Sequence, residues 1–184
     1  LGLDDPFIVQ FTTFVTNAAQ GAFGISFRNQ QDVLAMIAER FPATFELVIA
    51  ATLISLIVGI PLGVITAIHR QRWYAETLQF TSIIGISLPS FVVGIGLILI
   101  FSVWLGWFPA FGRGETVDLG WWSTGLLTSS GRMSIILPAL SLSLFQITLV
   151  MRLVRAEMLE VLRTDFIKFA RARGIPARAL HFPP

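Results

Sequence analysis

The residues able to support acid–base or metal chemistry are few and scattered along the sequence. The 184-residue chain has two histidines, His69 and His181, and no cysteine. Neither histidine belongs to an HExxH pattern, so neither has the ligand spacing of a zinc hydrolase. The chain also lacks a GxSxG motif and a glycine-rich phosphate loop ending in Lys-Ser or Lys-Thr. We therefore predict no catalytic residue and no metal site, and a membrane enzyme is the least favoured class of function.

Glu46 is the acidic residue that stands at the start of a long apolar run. We predict that it lies in the first turn of a membrane helix, where a carboxylate meets the positive end of the helix dipole. The alternative is a functional acid within the membrane. The centres of the apolar runs carry no ionisable residue, unlike the ion-coupled transporters. If the protein moves a solute uphill, the energy must come from elsewhere.

A basic segment near the end of the chain, DFIKFARARGIP (165 to 176), contrasts with the apolar sequence before it. At the period of an α-helix it has two faces. One face carries Phe166, Phe169, Ala170 and Arg173, and the other carries Asp165, Lys168 and Ala172. Gly174 and Pro176 would end the helix. Such a helix either lies on anionic lipid or docks in a groove of a soluble partner, and the residues alone leave both open.

The composition as a whole is that of a membrane protein. Hydrophobic residues make up 54% of the chain and charged residues only 13%, with a mean hydropathy of +0.76. Three uncharged windows approach or exceed the roughly 20 residues that a helix needs to cross a bilayer. We predict an all-α, polytopic transmembrane bundle whose three spans lie at about 44–68, 78–105 and 134–153.

Basic residues predict the orientation of these spans. Arg70 and Arg72 separate the first two, and a cluster from Arg152 to Arg178 follows the third. By the positive-inside rule, both regions face the cytoplasm. We therefore divide the chain into an extracytoplasmic or interfacial segment (1–43), a transmembrane region (44–155) and a cytoplasmic segment (156–184). The outer loop is rich in tryptophan, which indicates anchoring at headgroup depth or contact with a solute or partner.

Prolines interrupt the predicted helices. Pro42 is expected to end a short surface helix before the first span, and Pro61, Pro89 and Pro138 are expected to kink the spans. Around Pro89, the sequence GISLPSFVVGIG (85 to 96) combines hydroxyl groups with small residues. It suits close helix packing and also the lining of a solute pathway. The pathway candidates are Gly85, Ser87, Pro89 and Ser90.

Several motifs together identify a family resemblance. They are ERFPATFEL (39 to 47), GIPLGV (59 to 64), GISLPSF (85 to 91), LPAL (137 to 140) and EVLRTDFIKFARARG (160 to 174). Over nearly the whole chain, the sequence resembles the inner-membrane permease subunits of bacterial ABC importers. It is most similar to the branch that transports dipeptides, oligopeptides and nickel.

The resemblance implies a role for the basic segment. In that family it is the EAA-type coupling helix, which seats in a cleft of the ATP-binding subunit. Ala170 and Gly174 match the second alanine and the glycine of the motif. Lys168 stands where the wider superfamily has glutamate, and Phe169 replaces a usually small residue. The implied contact set with the ATPase is Asp165, Phe166, Phe169, Ala170, Arg173 and Gly174.

The resemblance also implies a function and partners. We expect a non-enzymatic, multi-pass permease of the bacterial cytoplasmic membrane that imports peptides or similar small solutes. Its partners would be ATP-binding subunits that hold ATP and magnesium, a second permease, expected to be a paralogue, and a periplasmic or lipid-anchored solute-binding protein. No cofactor bound by this chain and no nucleic acid are implied. The family has further membrane helices on both sides, so we expect a piece of a longer protein. The alternative is a non-transporting scaffold whose basic tail binds lipid.

Overall fold

The computed structural model describes residues 5–165 together with Ile167, Phe169 and Arg173, and the statements below concern those residues. The architecture is helical apart from one small hairpin in the loop before the last helix. The elements are α1 (Phe7–Ala19), α2 (Val33–Ile68), α3 (Trp73–Ser87), α4 (Ser90–Leu97) with a π-helical continuation (Ile98–Trp104), β1 (Val117–Asp118), β2 (Ser123–Thr124) and α5 (Ser129–Val161).

Two helices are long and apolar enough to cross a membrane. α2 has 36 residues and α5 has 33, or about 54 and about 50 Å at about 1.5 Å per residue. A third crossing is reached only if α3 and α4 with its continuation are counted together, and this pair is bent by 103°. The prediction of an all-α polytopic membrane protein is confirmed. α1 has 13 residues, too few to span the roughly 30 Å hydrocarbon core.

The expected break at Pro42 is wrong, because α2 runs through it without interruption. The helix starts at Val33, where the carboxylate of Asp32 accepts a hydrogen bond from the backbone N–H of Ala35 at 3.2 Å. A proline within a helix removes one backbone donor and crowds the carbonyl group one turn earlier, so the helix continues through it at a cost that other contacts must offset. The rings of Phe41 and Phe45 flank Pro42 and stack at 5.8 Å between centroids, so packing holds this turn helical.

The core of the bundle is the contact between α2 and α5, the most extensive between two elements. We call it the glycine seam. On α2 it consists of small residues at intervals of four, and all of them are buried: Ala51, Ser55, Gly59, Gly63 and Ala67. A Cβ on Gly63 would lie 2.7 Å from Cβ of Val154 and 2.8 Å from the carbonyl oxygen of Met151. Small residues therefore set the distance between the two helices.

The second predicted span differs from a single crossing helix. Leu88 is extended (φ −89°, ψ 126°) and separates α3 from α4. The residue before a proline avoids the helical region because of the proline ring, which explains the break at Leu88. Beyond α4 the chain continues as a π-helix, in which the N–H of Leu105 donates to the carbonyl of Ile100 at 3.0 Å.

Candidate functional site

The four pathway candidates lie at the bend between α3 and α4, but they do not form one site. Gly85 lines a cleft of about 330 Å³ between α3 and α5, beside Thr148. The hydroxyl of Ser87 donates to the carbonyl of Ile83 in its own helix at 2.9 Å. Pro89 caps the N-terminus of α4. The assignment of these residues to a solute pathway stays a prediction.

Ser90 lies in a different cavity, which we call the α4–α5 cleft. It has a volume of about 470 Å³ and is lined by Leu47 of α2, by Ser90 and Gly94 of α4, and by Pro138 and Ser141 of α5, among others. The hydroxyl of Ser141 donates to the carbonyl of Ser90 at 2.7 Å. This hydrogen bond joins α4 to α5 across one wall of the cleft.

An ion pair with a buried carboxylate, which sequence reasoning missed, lies beside this cleft. Glu46 is 7% exposed, and its carboxylate is 3.5 Å from the guanidinium of Arg113 in the loop after the π-helix. The same carboxylate accepts hydrogen bonds from the indole N–H of Trp122 and the backbone N–H of Gly125, both at 3.4 Å. We call Glu46, Arg113, Trp122 and Gly125 the Glu46 clasp.

The position of Glu46 overturns the prediction that it caps a helix. Because α2 begins at Val33, Glu46 lies well inside the helix and away from its positive end. Its burial is compensated by the cation and by two N–H donors, as a buried charge requires. A lone glutamate in an apolar run and an arginine in a distant loop were the available signal, but nothing in the sequence pairs them.

The loop that supplies the clasp is itself well structured. Arg113 also donates from Nη1 to the hydroxyl of Ser123 at 3.0 Å. Trp122 packs edge-on against Phe41 and Phe45, with ring centroids 6.2 and 5.6 Å apart. Trp122 therefore holds the loop to α2, whereas its neighbour Trp121 is 87% exposed and remains a candidate for anchoring or partner contact.

The clasp and the α4–α5 cleft adjoin. Glu46 and Arg113 line a smaller cavity of about 210 Å³, which shares Leu47, Ser134 and Pro138 with the cleft. The carboxylate and the guanidinium thus line the cavity next to the cleft, whereas Ser90 lines the cleft itself. A rearrangement of the loop would change access to both cavities.

Part of the predicted coupling segment follows α5 in the described residues. Asp165 and Phe169 are helical, and Phe169 is 60% exposed. The guanidinium of Arg173 lies 5.0 Å from the centroid of the Phe169 ring, within the range of a cation–π contact. Ile167, which sequence reasoning did not select, is 5% exposed. Phe166, Ala170 and Gly174 lie outside the described residues.

Groups that could hold a metal are absent from the described part of the chain, where no three His, Asp or Glu side chains cluster. His69 lies just beyond α2, and Nδ1 of its ring is 3.3 Å from the carbonyl oxygen of Ile65. Its ring faces Tyr74 at 5.7 Å. These contacts suit a residue at the end of a membrane helix.

Comparison with known proteins identifies the family. Residues 59 to 182 match the family described as the binding-protein-dependent transport system inner membrane component, which covers more than half of the chain. The chain belongs to this family. The resemblance to inner-membrane permeases of ABC importers, which the sequence motifs indicated, is thereby confirmed.

Relatives of this permease carry names that refer to peptides. A protein of Brucella abortus (strain 2308), named as a peptide transport system permease, is 40% identical over 177 residues, which cover 95% of this chain and 53% of the relative. A di/tripeptide permease of Pseudomonas aeruginosa is 37% identical (98% and 57%), and an oligopeptide permease of Salmonella typhimurium is 34% identical (98% and 55%). The permease chain spans about half the length of these relatives.

Proposed function

We propose that the chain forms part of a permease subunit that imports peptides or similar small solutes across the bacterial cytoplasmic membrane, driven by ATP hydrolysis in a separate subunit. The observation that carries this proposal is the similarity to peptide permeases along almost the entire chain. The scarcity of catalytic groups fits it, since the permease itself performs no chemistry.

The pathway for the solute runs along the α4–α5 cleft in this proposal. The cleft is mostly apolar, with the hydroxyl groups of Ser90, Ser134 and Ser141 along it and the clasp beside it. An apolar wall with a few polar groups is typical of a site for a small molecule, and the hydroxyl groups would orient a peptide in it. A second permease, expected to be a paralogue, completes the pathway, and a separate solute-binding protein delivers the solute and selects it.

Coupling to the ATPase occurs at the segment from Asp165 to Gly174. Ile167 is buried, whereas Phe169 offers an exposed aromatic ring to a partner. Docking transmits force only if the partner changes shape and contacts the segment differently in its two states. ATP and magnesium bind to the partner, and this chain holds no cofactor.

The shape of α5 supports transmission over the depth of the membrane. It is one continuous helix from Ser129, beside the clasp, to Val161, next to the coupling segment. The glycine seam holds α2 in close contact with it at Gly59 and Gly63. A displacement at the coupling segment therefore moves α2 and α5 together and changes the α4–α5 cleft, whose other wall is α4.

A cysteine crosslink tests this proposal, because the chain has no cysteine of its own. We would place one cysteine at Ala170 and co-express the permease with its ATPase, which carries cysteines along its own cleft for the coupling segment. Crosslinking is then measured with and without ATP. The expected result is a crosslink that depends on nucleotide. The matched control is Trp121→Cys, on the exposed loop at the opposite end of the bundle, which should not crosslink.

Two results would contradict the proposal. The first is no crosslink from Ala170→Cys although both proteins are folded and present in the membrane. The second is solute uptake that survives Gly174→Asp with unchanged membrane insertion. Either would favour the alternative, a scaffold whose basic tail binds lipid and needs no ATPase.

A further inference from the structure

A groove between α3 and α5 lies away from the clasp and from the α4–α5 cleft. We call it the Arg155 groove. It has a volume of about 450 Å³ and is lined by Gln79, Ser82 and Ile83 of α3 and by Met151, Arg152, Arg155, Ala156 and Leu159 of α5. The proposed pathway uses none of these residues, so the groove needs a separate explanation.

The groove carries positive charge without a partner for it among the described residues. Nη1 of Arg155 is buried and makes no hydrogen bond to the described residues, although Arg155 as a whole is half-buried and Arg152 is exposed. None of the lining residues is acidic. A buried charged donor without an acceptor is costly, and an oxyanion is the group that guanidinium nitrogens match best. An anion in the groove would satisfy this nitrogen.

The neighbouring polar groups are mostly occupied with their own helix. The hydroxyl of Ser82 donates to the carbonyl of Gln79 at 2.7 Å, and the side-chain amide of Gln79 donates to the carbonyl of Ala75 at 3.3 Å. Neither group accepts a hydrogen bond from the buried Nη1 of Arg155. The two arginines thus define the charge of the site, and Ile83, Met151 and Leu159 give it apolar walls.

The depth of the groove in the membrane indicates the source of the anion. Arg132 and Arg152 bracket the uncharged part of α5 and are 20 residues apart, about 30 Å along the helix. That distance matches the thickness of the hydrocarbon core. Arg152 and Arg155 therefore lie at headgroup depth, at the end of the bundle that the positive-inside rule places in the cytoplasm.

We propose that the Arg155 groove binds the phosphate headgroup of an anionic phospholipid of the inner leaflet. The guanidinium groups of Arg152 and Arg155 hold the phosphate, and one acyl chain follows the apolar walls. Basic pockets between membrane helices on the cytoplasmic side are suited to such headgroups. This inference rests on the membrane placement of α5 and does not depend on the proposed transport function.

Native mass spectrometry of the full chain purified in a mild detergent tests the proposal. Phosphatidylglycerol or phosphatidylcholine is added at equal concentration, and the fraction of protein that keeps one lipid is measured. We expect wild type to retain phosphatidylglycerol several-fold better than phosphatidylcholine. Arg152→Gln/Arg155→Gln should lose this preference. Arg132→Gln, which removes one positive charge at the other end of the same helix, should keep it.

Further experiments distinguish a lipid phosphate from free phosphate and from the carboxylate of a solute. They also separate a loss of lipid binding from misfolding. Inorganic phosphate at millimolar concentration should not displace the lipid, and a dipeptide should not displace it either. The double variant Arg152→Lys/Arg155→Lys keeps both positive charges and should retain most of the preference for phosphatidylglycerol. Equal lipid retention by wild type and the double glutamine variant would overturn the proposal. So would displacement by the dipeptide, which would assign the groove to the carboxylate of a solute.

Discussion

α5 makes two contacts of very different character. Against α2 it forms the glycine seam, where a Cβ on Gly59 or Gly63 would overlap Val150, Val154 or the α5 backbone. Against α4 it leaves the α4–α5 cleft, where the hydroxyl of Ser141 donates to the Ser90 carbonyl and a Cβ on Gly94 would lie 3.2 Å from the same hydroxyl oxygen. One side of α5 is packed without space, and the other is held across a cavity.

The difference indicates which parts of the bundle can move. Closely packed interfaces do not deform continuously. We therefore expect α2 and α5 to move as one body. The α4 side has a 103° bend, a π-helical continuation and a single hydroxyl–carbonyl bond. If the permease alternates between conformations, we expect the change at this side.

The largest effect is expected from Gly63→Ala, which breaks the glycine seam. Its Cβ would lie 2.7 Å from Cβ of Val154, and neither that atom nor the Met151 carbonyl can rotate away. The helices must separate, at a cost of about 3 kcal/mol. Thermal unfolding of the purified protein in detergent measures the loss.

Gly96→Ala is the matched control for that variant. Gly96 also lies in a helix, but a Cβ added there would meet no described side chain or neighbouring element within 4 Å. Alanine favours a helix over glycine by about 1 kcal/mol, so this variant should be as stable as wild type or slightly more so. Equal stability of the two variants would show that the seam tolerates a methyl group.

A smaller effect is expected from Glu46→Gln, which removes the charge at the centre of the clasp. It leaves Arg113 without its counter-ion, but the arginine side chain is 32% exposed, so water recovers part of the loss. We expect destabilisation of about 2 kcal/mol. Glu115→Gln, an exposed carboxylate on the same loop, should change the melting temperature little.

A double-mutant cycle separates the ion pair from general damage to the loop. Arg113→Gln alone should also destabilise the protein, because it leaves the buried Glu46 carboxylate without a cation. The double variant should lose less than the sum of the two single losses. Strict additivity would mean that the two charges do not interact, and the clasp would then depend on the N–H donors of Trp122 and Gly125.

Composition and charge were sufficient to predict the helical membrane fold. Long uncharged windows specify membrane helices because the bilayer requires about 20 apolar residues for each crossing. The motifs identified the family, since EVLRTDFIKFARARG and GISLPSF are long enough to be specific. These properties are local, so they can be seen without knowing which segments meet.

The Glu46 clasp and the different behaviour of Pro42 and Pro89 could not be predicted, because they depend on contacts between residues that are distant in sequence. Pro42 and Pro89 both follow an apolar residue, yet α2 continues through the first and the chain bends at the second. Phe41 and Phe45 pack against Trp122 beside Pro42, whereas Leu88 before Pro89 is extended. Glu46 pairs with an arginine that lies beyond two further helices. No periodicity in the sequence reports such pairings.

The smallest effect is expected from Ser141→Ala, on the side of α5 that faces α4 across the α4–α5 cleft. The change removes the hydroxyl that donates to the Ser90 carbonyl, worth about 1 kcal/mol or less. The control is Ser143→Ala, since that buried hydroxyl donates to Leu140 within α5 and joins no second helix. A cysteine at Phe91, which lines the cleft, should react faster with a water-soluble thiol reagent when combined with Ser141→Ala, and at the wild-type rate when combined with Ser143→Ala. Equal rates would mean that the bond does not hold α4 in place, and the contrast between the two sides of α5 would then come from packing alone.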